Sequence, residues 1–155
     1  MARKKPELII GLLLAAALLL ATAGPAAAGG VPWLDYKQGR HLQKLQHKPM
    51  LIFFHLPYCY RCRKMKRKVF SKPEVIGLLK RDFIPVEVDV DQEPDLSKTF
   101  RVTYIPTFVM VSPQGKEIMR LKGVIPRQRF LHMLRYVSQG AYLKMNWESY
   151  LEKRP

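Results

Sequence analysis

The sequence predicts an α/β fold in which helices cover both faces of a central mixed sheet. From residue 50 onwards, apolar runs of strand length alternate with segments that have helical apolar spacing. The last two strand-like runs are separated by a tight turn, which predicts an antiparallel hairpin. A length of 155 residues, 48% of them hydrophobic and 25% charged, suits one globular domain.

The first elements of the domain are a helix and a buried strand. The helix is predicted over residues 39–46, with Leu42 and Leu45 facing the core. Lys48 and Pro49 mark the end of this helix, because proline lacks the backbone N–H that an interior helix position needs. The apolar run that follows predicts a buried strand at Met50–His55.

Two helices are expected next. Cys62, Met65 and Val69 are spaced i, i+3 and i+7, which places them on one face of a helix that begins beside the cysteines. Ser71 and Glu74 have the spacing of a capping box, and they predict the start of a second helix with proline in its first turn.

The second half of the domain contains three more strands. Alternating valines predict a strand at 83–90, and a short helix at 91–100 follows it. Thr107–Val111 and Glu117–Lys122 form the predicted hairpin around a turn at 112–115. A final helix opens after Pro126, and its apolar face contains Phe130, Leu131, Leu134 and Val137.

Residues 1–28 have the pattern of a secretory signal peptide. Three basic residues precede an apolar stretch, and an A-x-A site ends at Ala28. We expect cleavage after Ala28, although the apolar stretch is also long enough for an uncleaved membrane anchor. The predicted organisation is therefore a signal or anchor at 1–28, a domain at 29–138 and a C-terminal extension at 139–155. Export places the cysteines in an oxidising compartment, which in a bacterium is the periplasm; an anchored form would sit in the inner membrane and face the periplasm.

The two cysteines, Cys59 and Cys62, lie where the first strand turns into a helix. The first N–H groups of a helix lack internal partners and favour negative charge. These groups, together with Arg61, Arg63 and Lys64, would stabilise a thiolate on Cys59. We therefore expect Cys59 to attack a disulfide and Cys62 to resolve the mixed disulfide.

Other uses of this cysteine pair fit the sequence less well. Structural zinc needs four ligands, and the four histidines lack zinc-site spacing, so no metal is expected. A purely structural disulfide between Cys59 and Cys62 would close almost no loop and would stabilise the fold little. The sequence thus predicts a redox-active Cys59–Cys62 disulfide and no other cofactor.

Together, Cys59-x-x-Cys62 and Tyr104-Ile105-Pro106-Thr107 resemble the thioredoxin-fold family over about residues 31–138. The resemblance implies a thiol–disulfide oxidoreductase in which Pro106 is cis and, with Ile105, lies beside the cysteines. The segment 68–75 and the opening Trp33-x-x-Tyr36-x-x-Gly39 are similar to the C-terminal domain of the transmembrane thiol–disulfide interchange reductases.

The chain departs from typical thioredoxins near the cysteines. Tyr58 keeps an aromatic wall before Cys59, but the pair Tyr60-Arg61 between the cysteines is unusual, which leaves the direction of electron flow open. Where thioredoxins carry a buried acid, this chain has Phe53. Glu87 on the neighbouring strand could supply that carboxylate or be a solvated strand residue. His55 could accept a proton or be a packed histidine.

The resemblance implies that the protein reduces disulfides in other exported proteins and takes electrons from a membrane donor. A disulfide-forming or isomerising enzyme and a non-catalytic binding module are the alternatives. The formal charge of +15 suits acidic partner proteins or peripheral contact with an anionic membrane, while the export signal argues against nucleic acid. No dimerisation domain is visible, so a monomer is expected. The aromatic residues of 139–155 either pack on the domain or dock a partner.

Overall fold

Four strands form one mixed sheet in the computed structural model, which describes residues 29–153. The strands are β1 (Met50–His55), β2 (Ile84–Asp89), β3 (Thr107–Val111) and β4 (Glu117–Lys122), in the spatial order β2-β1-β3-β4. The predicted strands and the mixed sheet are confirmed. The predicted signal peptide or anchor at 1–28 lies outside the described residues.

Strand β1 is central and has neighbours of both orientations. It pairs in parallel with β2 and antiparallel with β3, and β3 and β4 form an antiparallel hairpin. Parallel neighbours need a crossover connection, and helices supply it between β1 and β2. In this register Phe53 lies opposite Glu87 on β2 and opposite Phe108 on β3.

Six α-helices lie within residues 29–153. They are α1 (Tyr36–Gln46), α2 (Tyr60–Lys68), α3 (Pro73–Asp82), α4 (Pro94–Thr99), α5 (Arg127–Ser138) and α6 (Trp147–Glu152), with a short 3₁₀ turn at Ala141–Leu143. No helix in this part of the chain is long and apolar enough to cross a membrane.

The two faces of the sheet have separate cores. We call the face under α2, α3 and α5 the cysteine face; its buried residues include Leu51, Phe53, Cys62, Met65 and Phe108. We call the face under α1 and α4 the second face; its buried residues include Met50, Ile52, Phe54, Val86 and Val109. Side chains alternate along a strand, so β1 contributes to both cores and is buried throughout.

Helix α1 differs from the sequence prediction in two respects. It begins at Tyr36, because the Asp35 side chain accepts a hydrogen bond of 2.7 Å from Gln38 N in a capping box that we had not predicted. The prediction that Leu45 faces the core is wrong, since its side chain is 64% exposed.

The buried stripe of α1 explains the exposure of Leu45. Gly39 packs so closely that a Cβ there would lie 2.2 Å from Val86 Cγ2. Leu42 contacts the second-face core, and the buried Gln43 side chain donates to Ser112 O at 2.9 Å. Leu45 lies about 120° around the helix axis from Gly39, on the solvent side.

The predicted capping box at Ser71 and Glu74 is also wrong. Lys72 occupies the N-cap of α3 and makes no side-chain cap bond, although Pro73 does open the helix as predicted. The Ser71 hydroxyl donates instead to Arg67 O at 2.7 Å, in the last turn of α2. The Ser71 hydroxyl therefore donates its hydrogen bond to a carbonyl of α2 and does not cap α3.

The aromatic residues of the C-terminal extension pack on α5. The ring of Tyr136 lies 5.4 Å from that of Trp147 and 4.9 Å from that of Tyr150, between centroids. The Tyr136 hydroxyl donates to Met145 O at 2.7 Å. Asn146 caps α6 as predicted, by accepting from Ser149 N at 2.9 Å. Of the two alternatives for these aromatics, the structure favours packing on the domain.

Candidate active site

Cys59 is the N-cap residue of α2. Its Sγ accepts a hydrogen bond of 3.2 Å from Cys62 N, one of the amides that a helix leaves without an internal partner. The side chain is half-buried, and both cysteines are free thiols. The sulfur therefore lies at the positive end of the helix dipole, where a thiolate is favoured.

Cys62 lies one turn further on and is buried, with 1% of its surface exposed. Burial raises the pKa of the Cys62 thiol to about 12, and a hydrogen bond with the Cys59 side chain adds to this effect. The positive charge of Arg61 acts in the opposite direction but is the weaker influence. Cys62 is thus a protonated thiol at neutral pH, and a partner protein would meet Cys59 first.

The loop before β3 contacts the first turn of α2. Arg61 donates a hydrogen bond to the Tyr104 hydroxyl, and its guanidinium carbon lies 4.6 Å from the centroid of that ring. The Ile105–Pro106 peptide bond is cis, Pro106 is buried and Ile105 is half-buried against the cysteine-face core. Arg61 therefore links the residues between the cysteines to the loop that contains Pro106.

Gly123 holds the same loop from β4. Its N–H donates to Pro106 O at 2.7 Å, and its φ of 84° lies in the left-handed region that favours glycine. A Cβ at this position would come within 3.5 Å of the Tyr104 ring. The close approach fixes the distance between the hairpin and the Tyr104–Pro106 loop.

Tyr58 precedes Cys59 and is 66% exposed. Its hydroxyl donates to Asp91 Oδ2 at 2.7 Å, and this hydrogen bond raises the pKa of Tyr58. An exposed aromatic side chain therefore directly precedes Cys59 in the chain. The sequence analysis missed Asp91, and it quoted Tyr104 only as part of a motif, because neither residue has a local signal that connects it to the cysteines.

Glu87 and His55 form a polar cluster at the end of the cysteine face. Glu87 Oε2 lies 2.8 Å from Lys66 Nζ and 3.4 Å from His55 Nε2. Since Glu87 lies opposite Phe53, its side chain is on the same face as Cys62. It is one-third exposed and ion-paired, which disfavours the alternative of a solvated strand residue.

His55 is buried and stacks on Phe53, with the ring centroids 5.0 Å apart. Burial lowers the pKa of His55, and the charge of Lys66 lowers it further, while the carboxylate of Glu87 acts in the opposite direction. His55 is therefore neutral at neutral pH. Within residues 29–153, no hydrogen bond joins His55 or Glu87 to either cysteine.

The site can therefore perform thiol–disulfide exchange. One sulfur is accessible at a helix N-terminus, and a second, protonated sulfur is buried within reach of the same turn. Of the predicted residues, Cys59, Arg61 and Cys62 lie at the start of α2, and Arg61 connects this turn through Tyr104 to the loop that contains Ile105 and Pro106. Tyr58 directly precedes Cys59. His55 and Glu87 are connected to this turn through Lys66, which belongs to α2.

Comparisons with known proteins agree with this geometry. Residues 36–138 match the family described as a thioredoxin-like domain. The disulfide bond reductase DsbH of Chlamydia pneumoniae is 27% identical over 109 residues, which cover 63% of this chain and 66% of that protein. The thiol:disulfide interchange protein DsbD of Photorhabdus laumondii is 26% identical over 117 residues, 67% of this chain but 20% of that protein.

A solved structure also resembles this chain closely. The solution structure of a thioredoxin from Thermus thermophilus superposes with a TM-score of 0.64 at 33% identity, covering 69% of this chain and 86% of that one. The chain spans less than two thirds of each of the two curated relatives. With the family match covering most of the chain, the fold and the predicted resemblance are confirmed. The chain belongs to the thioredoxin-like family, and it carries the two-cysteine centre of a thiol–disulfide oxidoreductase.

Proposed function

We propose that the protein is an exported oxidoreductase that reduces disulfides in other exported proteins. The observation that carries this proposal is the asymmetry of the cysteine pair: Cys59 lies accessible at the α2 N-cap, while Cys62 is buried and protonated. The reductive direction is supported by the relative named a disulfide bond reductase.

The reaction proceeds in two exchanges. The thiolate of Cys59 attacks one sulfur of the client disulfide, and the other client sulfur leaves as a thiolate that takes up a proton. Cys62 then loses its proton and attacks Cys59 Sγ, which releases the second client thiol. Two electrons pass to the client, and the Cys59–Cys62 disulfide that remains is the only redox group required.

The neighbouring residues bind and orient the client in this proposal. Pro106 and Ile105 form one side of the groove beside Cys59, and Tyr58 forms the other. Arg61 holds the Tyr104 ring against the first turn of α2 and so keeps the groove open at Cys59.

Export is part of the proposal. Residues 1–28 act as a signal peptide, or as an anchor that holds the domain at the inner membrane facing the periplasm. A donor in the membrane returns electrons to the oxidised pair, and the protein works as a monomer. The alternatives are an enzyme that forms or isomerises disulfides, and a binding module without redox activity.

The reduction potential of the Cys59–Cys62 couple tests the direction of transfer. We expect a value near that of thioredoxin, about −270 mV, when the full-length chain is equilibrated with thiol buffers. A value near about −120 mV, that of a strong oxidant, would instead indicate a disulfide donor.

Cysteine variants test whether the protein is an enzyme at all. Cys59→Ser should abolish reduction of a disulfide substrate, because no accessible nucleophile remains. Cys62→Ser should retain the first attack and accumulate the mixed disulfide, which mass spectrometry detects. Unchanged binding of partners by a Cys59→Ser protein, with no redox cycling in the unmodified chain, would favour the binding module.

We also propose that Glu87 and His55 assist the resolving step. Cys62 must lose its proton when it attacks, and the Glu87 carboxylate is the acidic group on the same sheet face that contacts α2. Through intervening water, either the Glu87 carboxylate or the neutral His55 ring would accept that proton. Both groups would act through water, without touching the reacting sulfurs.

The pH profile of turnover tests this role of Glu87. Glu87→Gln should shift the alkaline rise of the resolving step to higher pH, since the base is lost. Glu117→Gln is a matched control, because Glu117 also pairs with a basic side chain, Arg120, but lies on β4. An identical profile for Glu87→Gln and the unmodified protein would rule out the proposed role.

A further inference from the structure

Exposed aromatic and basic side chains lie directly before and after Cys59 in the chain, and Arg61 connects them to Tyr104. We call this surface the cysteine rim and define it by Tyr58, Tyr60, Arg61, Arg63, Lys64 and Tyr104. Tyr58, Tyr60 and Tyr104 are 66%, 64% and 40% exposed, and they are half of the large exposed hydrophobic side chains in residues 29–153. Such a concentration beside the cysteine turn indicates a contact surface.

Among residues 29–153, no carboxylate pairs with the positive charges of the rim. Helix α2 contains no acidic residue, and in the part of the chain that the structure describes no ion pair engages Arg61, Arg63 or Lys64. Lys66, one turn beyond Arg63, is by contrast paired with Glu87. The charge of Lys66 is thus neutralised locally, whereas the three rim cations remain available to a ligand.

Two of the rim cations make contacts with neighbouring segments of the site. The Arg61 guanidinium stacks on Tyr104, and Arg63 Nη1 makes a long contact of 3.4 Å with Pro57 O, in the loop that leads to Cys59. The acidic group that reaches the rim, Asp91, already accepts from the Tyr58 hydroxyl. The rim therefore presents positive charge and phenol rings in the segments that lead into and out of Cys59.

We propose that the cysteine rim selects client segments in which the target disulfide is flanked by acidic residues. This inference rests on the proposed reductase function and names the class of substrate. Carboxylates of the client would pair with Arg63, Lys64 and Arg61, while its backbone lies against the tyrosine rings. Focused positive potential would also speed encounter with such segments, typically by a factor of 10 to 10³.

An anionic membrane is a weaker match to the same charges. The cations lie two to five residues after Cys59, within the first five residues of α2, so a bilayer bound to them would cover the sulfur that must meet a client. A polypeptide segment can instead occupy the rim and deliver its disulfide to Cys59 in the same contact.

Three disulfide peptides test the proposal directly. They share one sequence and differ only in the residues beside the cystine, which are Glu, Gln or Lys. The measured quantity is the second-order rate constant for their reduction by the reduced full-length chain in a non-ionic detergent. At low ionic strength we expect the Glu peptide to react about tenfold faster than the Gln peptide and the Lys peptide to be slowest. The preference should shrink as salt screens the charges.

A pair of double variants separates the rim from the overall charge of the protein. Arg63→Gln with Lys64→Gln should bring the ratio of the Glu to the Gln rate constants close to one. Lys37→Gln with Lys44→Gln removes the same charge from exposed positions on α1, which covers the second face, and should preserve the ratio.

The outcomes distinguish a failure of the rim proposal from a failure of the reductase function on which it rests. Reduction of all three peptides at equal rates would overturn the rim proposal and leave the reductase function intact. Reduction of none of them would overturn both. An equal loss of preference in the two double variants would show that the net charge of the protein, and not the rim, causes the preference, and would overturn the proposal. Binding to anionic vesicles that depends on Arg63 and Lys64, without any peptide preference, would assign the rim to a membrane surface and overturn the proposal.

Discussion

The two faces of the sheet share β1 but differ in what they hold. On the cysteine face, Phe53 stacks on Phe108 with centroids 5.2 Å apart, and the strand ends in the buried His55 beside Glu87. On the second face, Phe54 contacts Phe100 at 5.4 Å, within a core of valine, isoleucine and methionine. The buried polar side chains on the helices of the second face, Gln43 and Ser97, carry no titratable group.

Both faces bury apolar side chains, but the cysteines and their titratable neighbours lie on one face only among the described residues. Helix α2 begins directly after β1 and lies on the cysteine face, so its N-terminus and Cys62 belong to that side. Helices α1 and α4 contribute packing to the other side. Substitutions of matched size on the two faces should therefore cost similar stability but have different effects on the cysteines.

The largest effect is expected for the adjacent pair Phe53→Ala and Phe54→Ala. Both rings are fully buried, and each truncation should lower the free energy of unfolding by about 3–5 kcal/mol, measured by denaturant titration. Phe53→Ala should in addition lower the pKa of Cys62, because water entering the cavity beneath α2 relieves the burial that raises it. Thiolate absorbance during a pH titration measures this shift.

Phe54→Ala is the control for that second effect. Its cavity opens on the other side of the sheet, so the Cys62 titration should match that of the unmodified protein. Equal shifts in both variants would show that the two cores are not independent at the cysteine pair.

A smaller effect is expected in the pH dependence of stability of the reduced protein. The pKa of Cys62 rises from an ordinary 9.0 to about 12 on folding, so the stabilising effect of the protonated thiol is complete below pH 9 and is lost as the pH rises towards 12. By pH 10 the loss should be about 1 kcal/mol. Unfolding of Cys62→Ala, compared at pH 8 and pH 10, should show a correspondingly smaller loss. If the unmodified protein and Cys62→Ala lost the same stability, titratable groups other than Cys62 would be the cause.

The smallest effect is expected on the outer side of α1. Leu45→Ala should change the free energy of unfolding by less than about 0.5 kcal/mol, because the side chain is 64% exposed. Leu42→Ala removes a contact of the second-face core and should cost more. Thermal or denaturant unfolding compares the two, and equal costs would contradict the observed orientation of α1.

Some features of this protein were determined by the sequence alone. The strands, the hairpin and the position of the cysteine pair follow from apolar periodicity and turn chemistry, which act over a few residues. The N-cap position of Cys59 follows in the same way, since the strand must end and the helix must begin around it. The resemblance to thioredoxins added the pairing of this site with the Ile105–Pro106 loop.

Which side chains meet around these elements depends on how the elements pack in three dimensions. Tyr58 and its acceptor Asp91 are 33 residues apart, and Arg61 and Tyr104 are 43 apart, so no local pattern connects them. The exposure of Leu45 and the alternative bond of Ser71 depended on how closely one helix packs and on which carbonyl lies nearer. Local periodicity fixes what kind of element forms, whereas partners, exposure and the Cys62 pKa arise from packing between elements that are distant in the chain.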